Sequence, residues 1–197
     1  MAKFDFFVRE ADSDVTNQRV LGDYASGIQI QLDSVLAAGA ALATVQTFLT
    51  PKPLPGKAKW EAGAYTLTLE VAGATSVSYT AQLWRADKTG ADVAQVGAQP
   101  AVQTGAGTKT LGFTGAEQAS AVDDRLKLKV LARNDDGASA QTFSMKCSAS
   151  KLATPIEQSR SREAGRSRFR RGRFLGVIPR HGEGRSPGDF GKGGVPL

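Results

Sequence analysis

Gly63-Ala64-Tyr65-Thr66-Leu67-Thr68-Leu69-Glu70-Val71-Ala72 alternates apolar and polar side chains without a break. Tyr65, Leu67, Leu69 and Val71 fall on one side, and Thr66, Thr68 and Glu70 on the other. Successive side chains of an extended chain point to opposite faces, so a period of two predicts a strand with one buried and one wet face. Two more stretches repeat the pattern. Leu126, Leu128 and Val130 alternate with Lys127 and Lys129, and Phe143, Met145 and Cys147 with Thr142, Ser144 and Lys146. No stretch of comparable length carries a helical period. A half-buried antiparallel sheet needs a second layer over its apolar face. The expected fold is therefore all-β: an antiparallel β-sandwich of jelly-roll type with a flexible basic C-terminal tail.

Working outward from residue 63, the chain divides into three parts. Residues 1–57 hold N-terminal strands and a Pro-rich connector. A strand is expected at 2–9, with Phe4, Phe6 and Val8 on one face, then a polar loop over 10–27. Ile28, Ile30 and Leu32 mark a second strand ended by Asp33-Ser34, and residues 45–50 a third. Pro51, Pro53 and Pro55 lack the N–H that a ladder needs, so 51–56 reads as an extended connector. Residues 58–156 form the sandwich core. There the strand 63–72 is expected to pair with 76–85 through a Gly73-Ala74-Thr75 turn, with weaker strands at 92–97 and 108–114. Residues 117–124 read as one helical turn before a strand at 125–133. Asn134-Asp135-Asp136-Gly137 reads as a hairpin turn answered by a strand at 139–148.

Residues 157–197 differ in kind, being rich in Gly and Arg and poor in aliphatic side chains. Such a segment buries too little to offset its ordering entropy, so a flexible tail is expected. The charge is just as uneven. Residues 151–197 hold nine Arg and two Lys against three Glu and one Asp, a balance of +7, whereas the whole chain is +6. An anionic partner is thus an expectation for the tail alone. No run nears the roughly 18 to 20 apolar residues of a membrane span, and the charged start, Met1-Ala2-Lys3-Phe4-Asp5, does not read as a Sec-type signal. No membrane partner is expected.

The inventory for chemistry is thin. His181 is the one histidine and Cys147 the one cysteine, which excludes an intrachain disulfide, a Cys/His zinc site and a Cys/His nucleophilic pair within one chain. Cys147 reads as a packed thiol. Neither Asp12, Asp14 and Asp23 nor Asp123, Asp124 and Asp135 follows the spacing of a calcium loop, and both sets read as solvated acids. No Gly-x-Ser-x-Gly turn or phosphate-binding glycine loop occurs. No metal, no cofactor and no enzymatic activity are expected.

Contacts with partners are the better expectation. Trp60 opens the strongest strand and Trp84 falls on the polar face of its own, beside Arg85. Exposed tryptophans serve as sugar platforms or interface anchors, whereas buried ones close a sandwich end, and both readings stand at this point. Arg166-Ser167-Arg168-Phe169-Arg170-Arg171-Gly172-Arg173-Phe174 combines cations with spaced aromatic rings, a pattern suited to non-specific contact with nucleic acid or to acidic protein surfaces. The residues expected to make contacts are Phe4, Phe6, Trp60, Trp84, Arg168, Arg170, Arg171 and Arg173.

Trp60-Glu61-Ala62-Gly63-Ala64-Tyr65 before the alternating strand resembles an opening found in phage virion β-sandwich proteins. Leu83-Trp84-Arg85-Ala86-Asp87 followed by Gly90, then Asp123-Asp124-Arg125-Leu126 with Asn134 closing the strand, extend the likeness. Ala153-Thr154-Pro155 stands where such modules finish. The resemblance spans about residues 58–156 and is one of pattern more than of strict motif. It implies a non-enzymatic structural protein of a tailed phage particle, capsid-decorating or tail-associated, made in the host cytoplasm and located in the virion. Phage coat or tail proteins and further copies of the chain, as a homo-oligomer, are the partners it implies. A carbohydrate-binding adhesion module and a packaging protein contacting nucleic acid through the tail are the alternatives. A strand at 2–9 either completes a neighbour's sheet or closes its own.

Overall fold

β6 (Gly63–Gly73), the strand of strongest alternation, is the hub of the molecule. The computed structural model describes residues 3–25, 27 and 29–157, among which run fourteen strands and no helix. Ahead of β6 come β1 (Lys3–Asp12), β2 (Arg19–Gly22), β3 (Gln31–Leu36), β4 (Ala43–Leu49) and β5 (Lys59–Trp60). After it follow β7 (Val77–Ala86), β8 (Asp92–Gln95), β9 (Gln103–Thr104), β10 (Gly107–Gly115) and β11 (Gln118–Ala119). β12 (Arg125–Asn134), β13 (Gln141–Lys146) and β14 (Lys151–Glu157) complete the set.

β10 runs along one flank of β6, from Gly107 opposite Val71 to Gly115 opposite Gly63. The other flank is shared: β14 pairs at Thr66–Thr68 and β13 at Val71–Gly73. β13 continues to β3, and β14 to β1 and β2. A parallel contact between β2 and β4 leads on to β12, β7 and the short edge strands β8 and β9. In a flat sheet, β13 and β7 would stand about five strand spacings apart, roughly 24 Å. The rings of Tyr79 in β7 and Phe143 in β13 are instead 5.2 Å apart. The hydrogen-bonded path therefore folds over on itself into two facing layers, an all-β sandwich. Tyr65, Leu67, Leu69 and Val71 of β6 pack in one core with Val77, Tyr79, Ala81 and Leu83 of β7, Leu126, Leu128 and Val130 of β12, and Phe143, Met145 and Cys147 of β13. Each large side chain so buried stabilises the fold by about 1.5–3 kcal/mol.

Two expected hairpins are crossovers. β7 does not pair with β6, because β10, β13 and β14 already occupy both flanks of that strand. The chain instead crosses between layers at Ala74–Ser76, with Ser76 at φ 50°, and β7 pairs with β12 over their full lengths. Likewise, Asn134–Gly137 carries the chain from β12 to β13 in the opposite layer. These crossovers are tied at one end of the sandwich. Asn134 Nδ2 donates to Ala37 O at 2.9 Å and Ser139 O at 2.8 Å, and Asp135 N donates to Ser76 O at 2.8 Å. Turn composition marks where a chain reverses, not which strand it joins next.

Smaller differences follow from pairing across the sheet. β1 runs to Asp12 and β2 lies within the stretch expected as loop. β3 continues through Asp33-Ser34, because Asp33 points outward and accepts from Gln31 Nε2 at 2.8 Å; the turn comes later, at Gly39 with φ +63°. Residues 117–124 form β11 and one turn closed by Asp124 N donating to Ala121 O, rather than a helical turn. β14 extends through Glu157 and places Pro155 against Gly63. With β1 to β4 interleaved among the later strands, the connector at 51–56 joins strands of one sandwich and does not mark the edge of a packing unit.

Candidate interaction surfaces

Where an outward side chain goes depends on what lies over its strand. β12 is covered on both faces, so its outward cations are not simply solvated. The guanidinium of Arg125 is fully buried; Nε donates to Thr50 O at 2.6 Å and the NH2 group to Asp14 Oδ1 at 2.5 Å. Asp14 belongs to the β1–β2 loop, whose Val15 packs with Leu49 around Gly90. The hydrogen bond and charge of Arg125 hold the Asp14 carboxyl below its ordinary 3.8, with Lys52 Nζ 3.3 Å away. Lys127, 5% exposed, donates to Asp92 Oδ1 at 2.8 Å, and Lys129 donates to Asp92 Oδ2. Burial works to raise the Asp92 carboxyl, but the two lysines outweigh it and lower it.

Trp84 stands in this same outer face. The Lys129 ammonium sits 4.8 Å from its ring centroid, and indole Nε1 donates to Gln82 Oε1 at 3.1 Å. Gln82 Nε2 donates in turn to Gln99 Oε1 at 2.7 Å, and Thr80 Oγ1 to Pro100 O at 2.8 Å, so the 96–102 segment drapes over β7. The ring stays on the outer face, in cation–π contact with a lysine. Trp60, by contrast, is 1% exposed in the β5–β11 pair and closes the sandwich end. The two tryptophans therefore do not share a platform.

Phe4 and Phe6, expected as contact residues, are core residues. Their rings stack at 5.4 Å inside the sandwich, because β1 lies between β14 and β2 of its own chain and closes its own sheet. Cys147 is buried, and desolvation, with the Glu10 charge adding to it, pushes its thiol up to about 11, which suits a packed group. Asp124 and Asp135 stand at opposite ends of β12, bonded to Arg85 and to Arg133, so the second acidic triplet does not converge. Among the described residues no group of three or more His, Cys, Asp or Glu is placed to hold a metal ion. Arg168, Arg170, Arg171 and Arg173 lie outside the described residues.

The first layer shows another surface. β6 turns Ala64, Thr66, Thr68 and Glu70 outward, β10 adds Thr108, Thr110, Gly112 and Thr114, and β14 adds Lys151 and Ala153. The registers set Thr110 beside Thr68 and Thr68 beside Lys151. The charges are few and paired: Lys151 with Asp5 at 3.0 Å, and Lys146 with Glu70 at 3.6 Å. A polar recess of about 440 Å³ opens elsewhere, at the β1–β2 loop, lined by Asp12, Ser13, Thr16, Asn17, Arg19 and Gln46. Sequence reading missed Lys129 and Gln82 as partners of Trp84, held in turn by Asp92 and Gln99. The Lys127-x-Lys129 alternation was the available signal, but it needed the β12–β7 pairing to be known.

No family model and no curated protein matches the chain. Among solved structures it is similar to a chain of infectious bursal disease virus-derived T=1 particles, with TM-score 0.42 and 14% identity over 68% of this chain and 30% of that one. It is likewise similar to VP2 of an infectious bursal disease virus subviral particle, with TM-score 0.40 and 13% identity over 68% and 34%. The chain thus spans about a third of the length of those viral chains. A family 22 carbohydrate binding module of Clostridium thermocellum Xyn10B matches at TM-score 0.27 and 10% identity, over 68% of this chain and 91% of that one.

Proposed function

We propose that this chain is a non-enzymatic structural component of a phage virion, capsid-decorating or tail-associated, which works through protein–protein contacts and self-association. The observation that carries the reading is how the polar groups are used. The space between the layers is filled by apolar side chains, and Arg125, Lys127 and Lys129 are engaged in holding loops onto β12. What remains for function is outer surface, as an assembly subunit requires. The phage-like pattern across residues 58–156 supports a phage particle as that assembly. Mass spectrometry of density-banded phage particles tests it: the chain present at a constant ratio to coat protein supports the reading, and its absence from washed particles removes it.

The +7 balance of residues 151–197 favours a second reading, in which the tail contacts nucleic acid without reading sequence. A chain ended after Gln158 keeps β14 whole, which an end at Thr154 would not, since Ile156 is fully buried. Binding to single-stranded DNA that falls steeply with salt and vanishes in the shortened chain would support this reading; equal binding by both chains would exclude it. Trp84 does not favour a sugar platform, because the Lys129 ammonium already occupies one face of its ring.

A further inference from the structure

We propose that the open flank of β10 is a pairing edge for β10 of a second copy of this chain, an antiparallel two-fold contact that joins two sandwiches through one continuous layer. This rests on the reading of the chain as an assembly subunit and names the strand that does the joining. Among the described residues β10 pairs with β6 alone, in a nine-residue register without a shift, from Gly107 to Gly115. A long, flat, unbulged edge presents a row of unpaired N–H and C=O groups, the template on which another strand adds.

The other edges are shorter than β10: β8 has four residues and a shifted register, β9 has two, and β3 has six. Along β10 itself, the C-terminal end is occupied: a Cβ on Gly97 would lie 2.7 Å from Thr114 O. Over 107–112, a Cβ on Gly107 or Gly112 would meet no described atom within 4 Å, and Thr108, Thr110 and Gly112 are exposed.

The chemistry of that stretch selects a copy of itself as occupant. Its outward positions are small and uncharged, and its one charge, Lys109, lies half-buried on the side of Leu111 and Phe113. A two-fold axis at Thr110 sets Thr110 against the partner's Thr110 and Thr108 against the partner's Gly112. Lys109 then faces the partner's Leu111, so no like charges meet. Isologous contacts require this kind of self-complementarity.

Sedimentation velocity on the full chain across micromolar concentrations tests the pairing, with wild type expected to dimerise. Thr110→Lys and Thr110→Glu place like charges across the axis, and each should weaken the dimer about fivefold. An equimolar mixture of the two variants should restore it. The exposed position leaves folding intact, which far-ultraviolet circular dichroism verifies. Hydrogen exchange in 107–112 of the wild type should slow as concentration rises, a readout independent of any substitution. A wild type monomeric throughout, or variants that dimerise like wild type, overturns the pairing. A monomer that still bands with particles would sink the pairing alone; a dimer absent from particles would sink the virion reading alone.

Discussion

The outer faces of the two layers are built from the same alternation and end as different surfaces. On β6, outward Thr66 and Thr68 lie among threonine, alanine and glycine, with Lys151 and Glu70 each paired to a neighbouring charge. On β12, outward Arg125, Lys127 and Lys129 are covered by the β1–β2 loop and by β8, which bring Asp14 and Asp92 to them. A polar residue in the wet register of a strand is thus either free for a partner or spent on the chain's own loops. The difference lies in what the neighbouring segments carry, and it separates a contact surface from a clamp.

Substitutions widen or erase that contrast. The largest effect is expected from Asp14→Ala, which leaves the Arg125 guanidinium buried without a counter-charge. A loss of about 2–3 kcal/mol in urea unfolding is expected, below the cost of a fully buried pair because half the carboxylate is in solvent. Trp84→Ala removes a half-buried ring and its cation–π partner and should cost about 1–2 kcal/mol by the same measurement. Asp92→Asn keeps the shape but not the charge beside Lys127 and Lys129, for a loss of about 1 kcal/mol. On the other face, Thr68→Ala should change stability by less than about 0.5 kcal/mol. A cost at Thr68 equal to that at Asp14 would abolish the distinction between the faces.

Acid should expose the same asymmetry. Asp14 and Asp92 both titrate below the ordinary 3.8 in the folded chain. Their stabilisation is therefore complete above that value and is lost as pH falls through the lower folded values. Thermal unfolding followed downward from pH 5 should show wild type losing stability more steeply than the Asp14→Ala, Asp92→Asn double variant. Parallel curves would mean that the clamp contributes nothing.

Much of this was legible in the chain. The inward sets of β6, β12 and β13 are those read from period-two alternation, because burial of one face leaves that record in the residues themselves. Strand partnership leaves no comparable local trace. Gly73-Ala74-Thr75 and Asn134-Asp135-Asp136-Gly137 look like hairpin turns, yet each carries the chain across the sandwich. β14 was hidden by its short alternation and by Pro155, which usually argues against a strand between two others. The environment of Trp84 was out of reach for the same reason as β7 itself: Lys127 and Trp84 become cross-strand neighbours only through the β12–β7 register. Phe4 and Phe6 were read on the right face of the right strand. Their role as contacts failed because β1 finds β14 within its own chain.

The central claim is that the inner faces serve cohesion while the chain meets its neighbours at the outer face and edge of the β10–β6 layer. Hydrogen exchange, measured on the full chain alone and then banded with particles, tests this most directly. New protection concentrated in residues 107–115, with β12 unchanged, is the result expected. Protection that appears only in β7, β8 and β12, or none at all in particles that carry the chain, would contradict it.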